Sequence, residues 1–272
     1  AVLDYVFIFP LGMGLKGAAI ATSISMAIGG ILVMVYLGWF AKTLRLIKLK
    51  LSRKSMRLAL RNIGYQSRIG VSALLGEASM AVIICGNQIF MRYLGDDGVA
   101  AFGVACYYCP FIFMIGNAIA QSAQPIISFN FGKGSLDRVR NTERLAIITA
   151  GICGVIVTSM FVFMPRLLVA LFIDPHTEAA RMAIAGLPIF STAVIFYIFN
   201  LTAIGYFQSV ERVRPSIIFA LLRGFVIIVP SFCLMPLILG TTGIWLALGV
   251  SELLTAVCII AFYIYHHSSA RA

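Results

Sequence analysis

The sequence has few charged residues: Asp, Glu, Lys and Arg make up 11% of its 272 residues, whereas 61% belong to the hydrophobic set. A soluble domain carries roughly 25% charged and about 45–50% apolar residues. The shortage of charge therefore excludes a soluble globular enzyme, a disordered tail and a disulfide scaffold. The composition is that of a membrane protein.

Residues that membrane enzymes need are missing from the apolar stretches. The three histidines, His176, His266 and His267, all lie outside them, and no stretch has an Asp in its interior. This excludes His-based catalysis, haem or metal ligation within the membrane, and an Asp–Asp intramembrane protease. No Lys follows Lys133, so a retinal Schiff base in the last span is excluded as well. We expect no enzyme activity, no metal site and no cofactor.

The apolar residues form seven stretches, each long enough to cross a bilayer. A spanning helix needs about 20 largely apolar residues, and barrel strands would instead alternate apolar and polar residues over about ten positions. The sequence therefore predicts an all-α, polytopic bundle of transmembrane helices. The seven predicted spans are 17–40, 66–94, 99–129, 145–165, 183–208, 215–239 and 243–265.

The basic residues lie mainly on one side of these spans. Fifteen Lys and Arg fall in the connections after the first, third and fifth spans and in the C-terminal tail, against four on the opposite side. This is a strong positive-inside signal, which predicts a multi-pass protein of the plasma (inner) membrane with a cytoplasmic C-terminus. The net charge of +11 then matches anionic headgroups of the lipid bilayer, and we expect no nucleic-acid partner.

An internal repeat links the start of the chain to its end. Residues 10–25 and 236–251 share six identities at a constant offset of 226, including two glycines at Gly14 and Gly17 that correspond to Gly240 and Gly243. The first and seventh spans would then be equivalent members of two parallel repeats. One repeat is six helices, so we expect twelve spans in two six-helix lobes and further helices upstream of residue 1.

This repeat divides the chain into four parts. Residues 1–40 would be the last helix of the N-lobe, and residues 41–64 a cytoplasmic linker between lobes. Residues 65–267 would form the six-helix C-lobe, and residues 268–272 a cytoplasmic tail.

Two acidic residues, Glu77 and Glu252, are predicted to lie deep in the bilayer. A charged side chain there costs free energy of insertion, so each residue is expected to have a functional or structural role. Glu77 is surrounded by small residues that can line a cavity, and we interpret it as the group that binds a coupling cation or a cationic substrate. Arg223 lies on the span next to that of Glu252. Two alternatives are therefore open for Glu252: it binds a ligand, or it forms a structural ion pair with Arg223.

Neutral polar residues also recur within the spans. Asn117, Gln121 and Gln124 have the i, i+4, i+7 spacing of one helical face, which lines a cavity or joins helices. The full set of candidate cavity-lining residues is Asn87, Gln88, Asn117, Gln121, Gln124, Tyr197 and Asn200.

Several motifs resemble those of the MATE (multidrug and toxic compound extrusion) transporters, in particular the bacterial exporters of cationic drugs. They are Leu3-Asp4 with the Gly14–Thr22 segment, Gly98–Gly103, Gln124-Pro125 through Asn130-Phe131-Gly132, and Gly243-Ile244-Trp245. The resemblance implies twelve helices in two lobes, of which this chain would be helices six to twelve. It also implies that Glu77 matches an acid of helix seven that contributes to cation coupling in some members.

The function that this resemblance implies is secondary active antiport: export of drugs, organic cations or metabolites in exchange for H⁺ or Na⁺. The expected substrate is a cationic or amphipathic small molecule. The helix-ten Asp of such members has no counterpart here, where Tyr197 and Asn200 occupy the corresponding stretch. A lipid-linked-oligosaccharide flippase of the same superfamily, or a membrane fragment without transport activity, stays open as an alternative.

Overall fold

The computed structural model of the protein describes residues 2–40 and 52–269, without the side chains of residues 4, 87, 88, 90–92 and 266–269. Over these ranges the regular structure is entirely helical. The ten α-helices are α1 Val2–Ile8, α2 Gly14–Val35, α3 Arg53–Cys85, α4 Asn87–Gly132, α5 Leu136–Phe163, α6 Pro165–Ala170, α7 Glu178–Phe190, α8 Thr192–Ser209, α9 Val213–Leu221 and α10 Ile228–Ser269. Short π-helical turns follow α2 (Tyr36–Phe40) and α9 (Leu222–Val226).

The predicted spans correspond to these helices, with different ends. Within residues 2–40 and 52–269, five continuous helical segments are long and apolar enough to cross a membrane, and α7 with α8 forms a sixth that is bent by 49°. The last of the five, Val213–Tyr265, contains Gly240 at φ 57°, where two helices meet. Its two arms match the predicted spans 215–239 and 243–265, so seven spans are accounted for and the all-helical membrane fold is confirmed.

The boundary of the second span differs from the prediction. The hydropathy pattern predicts a span over 66–94, but α3 ends at Cys85 and α4 begins at Asn87 after a break at Gly86. The chain is also non-helical at Gly95, which has φ 67° and ψ −158°. The predicted span continues through Gly86, so hydropathy alone does not detect that break, whereas Gly95 lies in the connection predicted between the second and third spans.

Two compact units divide the chain, residues 1–62 and residues 63–272. The boundary lies inside the predicted linker 41–64, of which residues 41–51 are outside the described ranges and residues 53–64 belong to α3. The assignment of the units to an N-lobe and a C-lobe stays a prediction, as does that of 268–272 to a tail, which lies largely outside the described residues.

The first unit contains α1 and α2, which pack against each other. Along α2 only Gly17 and Ala21 are buried. Apolar side chains on the rest of this helix are exposed, as a helix in contact with lipid or with further protein would have them.

The second unit is built around α8, which packs against α4, α5 and α10. At the centre of its core the ring of Phe102 makes edge-on contacts with Phe190, Phe232 and Trp245, at centroid distances of 6.3, 6.3 and 5.9 Å. These contacts join α4, α7 and both arms of α10. The core holds in place the helices that carry the candidate site residues.

The bend between α7 and α8 has a local cause. Pro188 lies inside α7 and has no N–H to donate, which interrupts the helical hydrogen bonds. The hydroxyl of Ser191 donates to the Pro188 carbonyl at 2.7 Å, and Thr192 Oγ1 donates to the Ile189 carbonyl at 2.7 Å. The side chains thus satisfy carbonyl groups at the break, as broken helices in a membrane require.

Candidate functional site

A cavity of about 520 Å³ opens within the second unit between α3, α4, α8 and the segment that joins α9 to α10. The small residues predicted around Glu77 form much of its α3 wall. The lining residues are Ile69, Gly70, Ser72, Ala73, Gly76, Glu77, Phe113, Asn117, Ala120, Gln121, Gln124, Leu201, Ile204, Gly205, Gln208, Ala220 and Arg223.

The α4 wall of the cavity is polar. Asn117, Gln121 and Gln124 all line it, because their spacing brings them to one face of α4. Gln121 and Gln124 are exposed and Asn117 is half-buried. The structure therefore brings these three candidate residues together with Glu77 in one cavity.

Glu77 lies on the α3 wall, and its side chain is exposed to the cavity. Within the described ranges, the ion pairs are Arg181–Glu178 and Arg223–Glu252, so Glu77 has no basic partner there. The carboxylate faces an open space with a polar α4 wall, which agrees with the cavity predicted from the small residues around Glu77. An unpaired carboxylate in such a place can attract a cation.

Two further polar residues complete the wall on the α8 side. The amide of Gln208 donates a hydrogen bond to Ser72 Oγ at 2.7 Å. Neither residue is in the predicted cavity-lining set, although Gln208 is one of the neutral polar residues that recur within the predicted spans. The signal that could have identified Gln208 is the face of α8 formed by Leu201, Ile204, Gly205 and Gln208, which all line the cavity.

A buried polar cluster lies beside the cavity, centred on Arg223 and Glu252. The Arg223 Nε lies 2.9 Å from Glu252 Oε1 and 3.1 Å from Oε2, and the two side chains are 2% and 1% exposed. Asn200 donates to Glu252 Oε2 at 2.7 Å and to the Glu252 carbonyl at 2.9 Å. The Arg223 guanidinium carbon lies 4.0 Å from the ring centroid of Tyr197.

Two of the candidate cavity-lining residues belong to this cluster instead of the cavity. Tyr197 and Asn200 do not line the cavity; both are buried, because α8 is enclosed by α4, α5 and α10 at their level. Their contacts are to the ion pair, and the Tyr197 hydroxyl lies 3.4 Å from Met80 Sδ. Arg223 itself borders the cavity, so the cluster is in contact with the site.

A second acid, besides Glu252, is buried in the second unit. Glu143 is 6% exposed, and its Oε2 accepts a hydrogen bond from the Tyr263 hydroxyl at 3.1 Å. Glu143 and Glu252 are thus the buried acids among the described residues, and the location of Glu77 and Glu252 deep in the bilayer stays a prediction. The sequence places Glu143 near a span end, and only the packing of α5 on its neighbours buries it.

The side chains of Asn87 and Gln88 lie outside the described residues, so their assignment to the cavity stays a prediction. The two cysteines of the Cys-x-x-Cys motif, Cys106 and Cys109, are free thiols on α4, half-buried and buried respectively. In the part of the chain that the structure describes, no three His, Cys, Asp or Glu side chains are grouped so as to hold a metal ion.

Comparison with known proteins identifies relatives of this chain. The MatE family model matches residues 73–233, which is more than half of the chain. The multidrug export protein MepA of Staphylococcus haemolyticus is 25% identical over 267 residues, covering 97% of this chain and 56% of that protein. MepA of Staphylococcus aureus (strain MSSA476) is 24% identical over 257 residues, covering 94% of this chain and 55% of that protein. The chain thus spans about half the length of these relatives.

Solved structures share the fold. The outward-facing conformation of a multidrug resistance MATE transporter of the MOP superfamily superimposes with a TM-score of 0.83 at 22% identity, covering 99% of this chain and 60% of the other. A MOP superfamily transporter from Pyrococcus furiosus gives a TM-score of 0.83 at 20% identity, covering 100% of this chain and 60% of that one. At these identities the likeness concerns the fold alone.

Proposed function

Because the chain belongs to the MatE family of multi-pass membrane transporters and is not an enzyme, we propose that the protein exports cationic or amphipathic small molecules in exchange for H⁺ or Na⁺. Relatives named as multidrug export proteins support the direction of transport and the breadth of the substrate class. The single observation that carries the proposal is the unpaired carboxylate of Glu77 on a polar-walled cavity of about 520 Å³.

The charge of this cavity supports a cationic substrate. Of the lining residues, Glu77 and Arg223 are charged, and Arg223 is neutralised by Glu252 behind it. The described wall is therefore left with one negative charge that is not compensated within it. Three amide side chains on α4 add hydrogen-bonding groups that can adapt to different molecules.

The same charge balance argues against the flippase alternative. A cavity that holds a pyrophosphate needs basic side chains whose charge is free to bind it. Arg223 is the basic residue of the described wall, and it is already engaged by a carboxylate. A flippase function would have to rely on basic residues elsewhere.

The exchange would follow from competition for one carboxylate. If Glu77 binds H⁺ or Na⁺ from one side of the membrane and a cationic substrate from the other, each ligand displaces the other as the cavity changes its exposure. The positive-inside bias supports a plasma (inner) membrane location with the C-terminus in the cytoplasm. The substrate would then be taken from the cytoplasm.

The test is export of a fluorescent organic cation, ethidium, by the full-length protein in a bacterial strain that lacks its main exporters. Glu77→Gln should lower the efflux rate by about tenfold or more, since losing an ionic contact costs roughly 2 kcal/mol. Glu77→Asp, which keeps the charge, should retain a measurable rate. Glu178→Gln is the matched control, because Glu178 pairs with Arg181 on an exposed surface outside the cavity.

Proteoliposomes separate the two coupling ions. Export driven by a pH gradient without Na⁺ assigns H⁺, and export driven by an inward Na⁺ gradient at equal pH assigns Na⁺. Wild-type efflux by Glu77→Gln at equal expression would remove Glu77 from the mechanism. No response to either gradient, with intact folding, would contradict antiport.

A further inference from the structure

A second cavity, of about 440 Å³, lies away from the Glu77 site, between α5, α8 and the last turns of α10. Both α5 and α10 pack on α8, which forms the floor of the groove between them. The floor and walls are mainly apolar. The lining residues are Arg140, Glu143, Arg144, Ile147, Ile148, Phe199, Ala203, Tyr206, Phe207, Ile259, Ile260, Tyr263 and Ile264.

The polarity of this groove changes along its length. Arg140 and Arg144 are exposed and lie one turn apart near the start of α5. Farther along the same helix come Ile147 and Ile148, opposite Ile260 of α10. One end of the groove is therefore basic and the remainder apolar.

The acid in the groove does not cancel the basic end. Glu143 is buried, and its carboxylate accepts a hydrogen bond from Tyr263, which bridges the α5 and α10 walls. Two exposed guanidinium groups, on Arg140 and Arg144, lie on the same helix within one turn of it. The net charge of this end is positive, and the charge nearest to the outside is that of the arginines.

We infer that this groove binds one anionic diacyl phospholipid, with its phosphate between Arg140 and Arg144 and an acyl chain along Ile147, Ile148 and Ile260. The order of its surfaces matches such a lipid: charge at the end of the spanning helices, where headgroups lie, and apolar walls toward the membrane interior. The Glu77 cavity differs in having an amide-rich α4 wall. The inference does not depend on which molecules the protein transports.

The test is native mass spectrometry of the full-length protein, released from detergent in the presence of equimolar phosphatidylglycerol and phosphatidylcholine with identical acyl chains. We expect the phosphatidylglycerol adduct to be retained preferentially. The double variant Arg140→Gln/Arg144→Gln should lower that preference by about fivefold or more, because each basic residue at the membrane surface contributes to anionic-lipid binding. Lys133→Gln/Arg138→Gln removes the same charge outside the groove and should leave the preference unchanged.

A second variant tests the apolar part without altering charge. Ile260 is 47% exposed, so Ile260→Trp should be tolerated and should narrow the groove, lowering phosphatidylglycerol retention while size-exclusion behaviour is unchanged. Equal retention of the two lipids by the wild type would overturn the inference. So would an equal loss in the Lys133→Gln/Arg138→Gln control, or displacement of the lipid by glycerol 1-phosphate alone, which would indicate a site for free phosphate esters.

Discussion

At the scale of single residues, the two acids of the predicted span interiors, Glu77 and Glu252, have opposite surroundings. Glu252 is paired with Arg223 and accepts a hydrogen bond from Asn200, while the Arg223 guanidinium lies over the Tyr197 ring, so the charges of the pair are compensated. Glu77 faces an open cavity without a basic partner in the described ranges. A carboxylate that is already satisfied holds helices together, whereas an unsatisfied one is free to bind a ligand.

The Arg223–Glu252 pair should contribute strongly to stability. Removing one partner of a buried pair leaves an uncompensated charge and costs about 3–5 kcal/mol. Arg223→Met and Glu252→Gln should therefore each lower the thermal unfolding temperature of the detergent-solubilised full-length protein strongly. The double variant should lose less than the sum of the two single losses, because it leaves neither charge without its partner. Unfolding curves of the two single variants and of the double variant give the coupling energy.

The exposed pair Arg181–Glu178 is the control for this measurement, since its side chains are 71% and 48% exposed. Exposed pairs contribute about 0.2–1 kcal/mol. If Arg223→Met unfolds no earlier than Arg181→Met, the pair is not the structural link that its geometry indicates.

The burial of a polar residue inside the protein is the property of the site that is hardest to predict from the sequence. The spacing of Asn117, Gln121 and Gln124 is sufficient to place them on one face, because helical periodicity is local. Whether a polar residue faces a cavity or a neighbouring helix depends on packing between distant segments. Tyr197 and Asn200 therefore belong to the buried cluster, and Glu143 is buried although it lies near a span end.

At the scale of elements, the repeat detected in the sequence has a counterpart in backbone geometry. Gly14 has φ 53° and Gly240 has φ 57°, and each opens a helix. Three residues later, a Cβ at Gly17 would lie 2.8 Å from the Phe7 carbonyl oxygen, and one at Gly243 would overlap the Met235 carbonyl. The same turn thus occurs at equivalent places, which supports two repeats of one supersecondary unit.

This geometry predicts unequal costs for alanine in the α10 turn. Gly240→Ala should cost about 1–3 kcal/mol from backbone strain alone, since its surroundings are open. Gly243→Ala should cost more, because the new methyl group meets backbone that cannot move aside. Thermal unfolding of the two variants ranks them, with Gly151→Ala as the control: Gly151 is helical and has open space around it, so alanine there should be neutral or stabilising.

A smaller effect of Gly243→Ala than of Gly240→Ala would contradict this account of the turn.

The spans themselves were predictable because the length of an apolar run determines whether a helix can cross a bilayer. The breaks at Gly86 and Ser191 were not, since each lies inside a predicted span, whereas Gly95 falls in the connection predicted between the second and third spans.

At the scale of the whole molecule, the Glu77 cavity and the groove beside Arg140 have different chemistry. The cavity that contains Glu77 is walled by amides and small residues, whereas the groove beside Arg140 is apolar with a basic end. Water-soluble cations are suited to the first and lipid molecules to the second.

The last prediction concerns access to the Glu77 cavity in the full-length protein. In a background without native cysteines, Gln124→Cys should react with a water-soluble maleimide, because its position lines a polar cavity that water can enter. Ile126→Cys lies on another face of α4, is 51% exposed among apolar neighbours, and should react slowly because a thiolate does not form readily in an apolar surrounding. An organic cation that the protein exports should slow the labelling of position 124 and leave position 126 unchanged. Equal labelling at both positions, or protection at neither, would mean that substrate does not occupy the cavity that Glu77 faces.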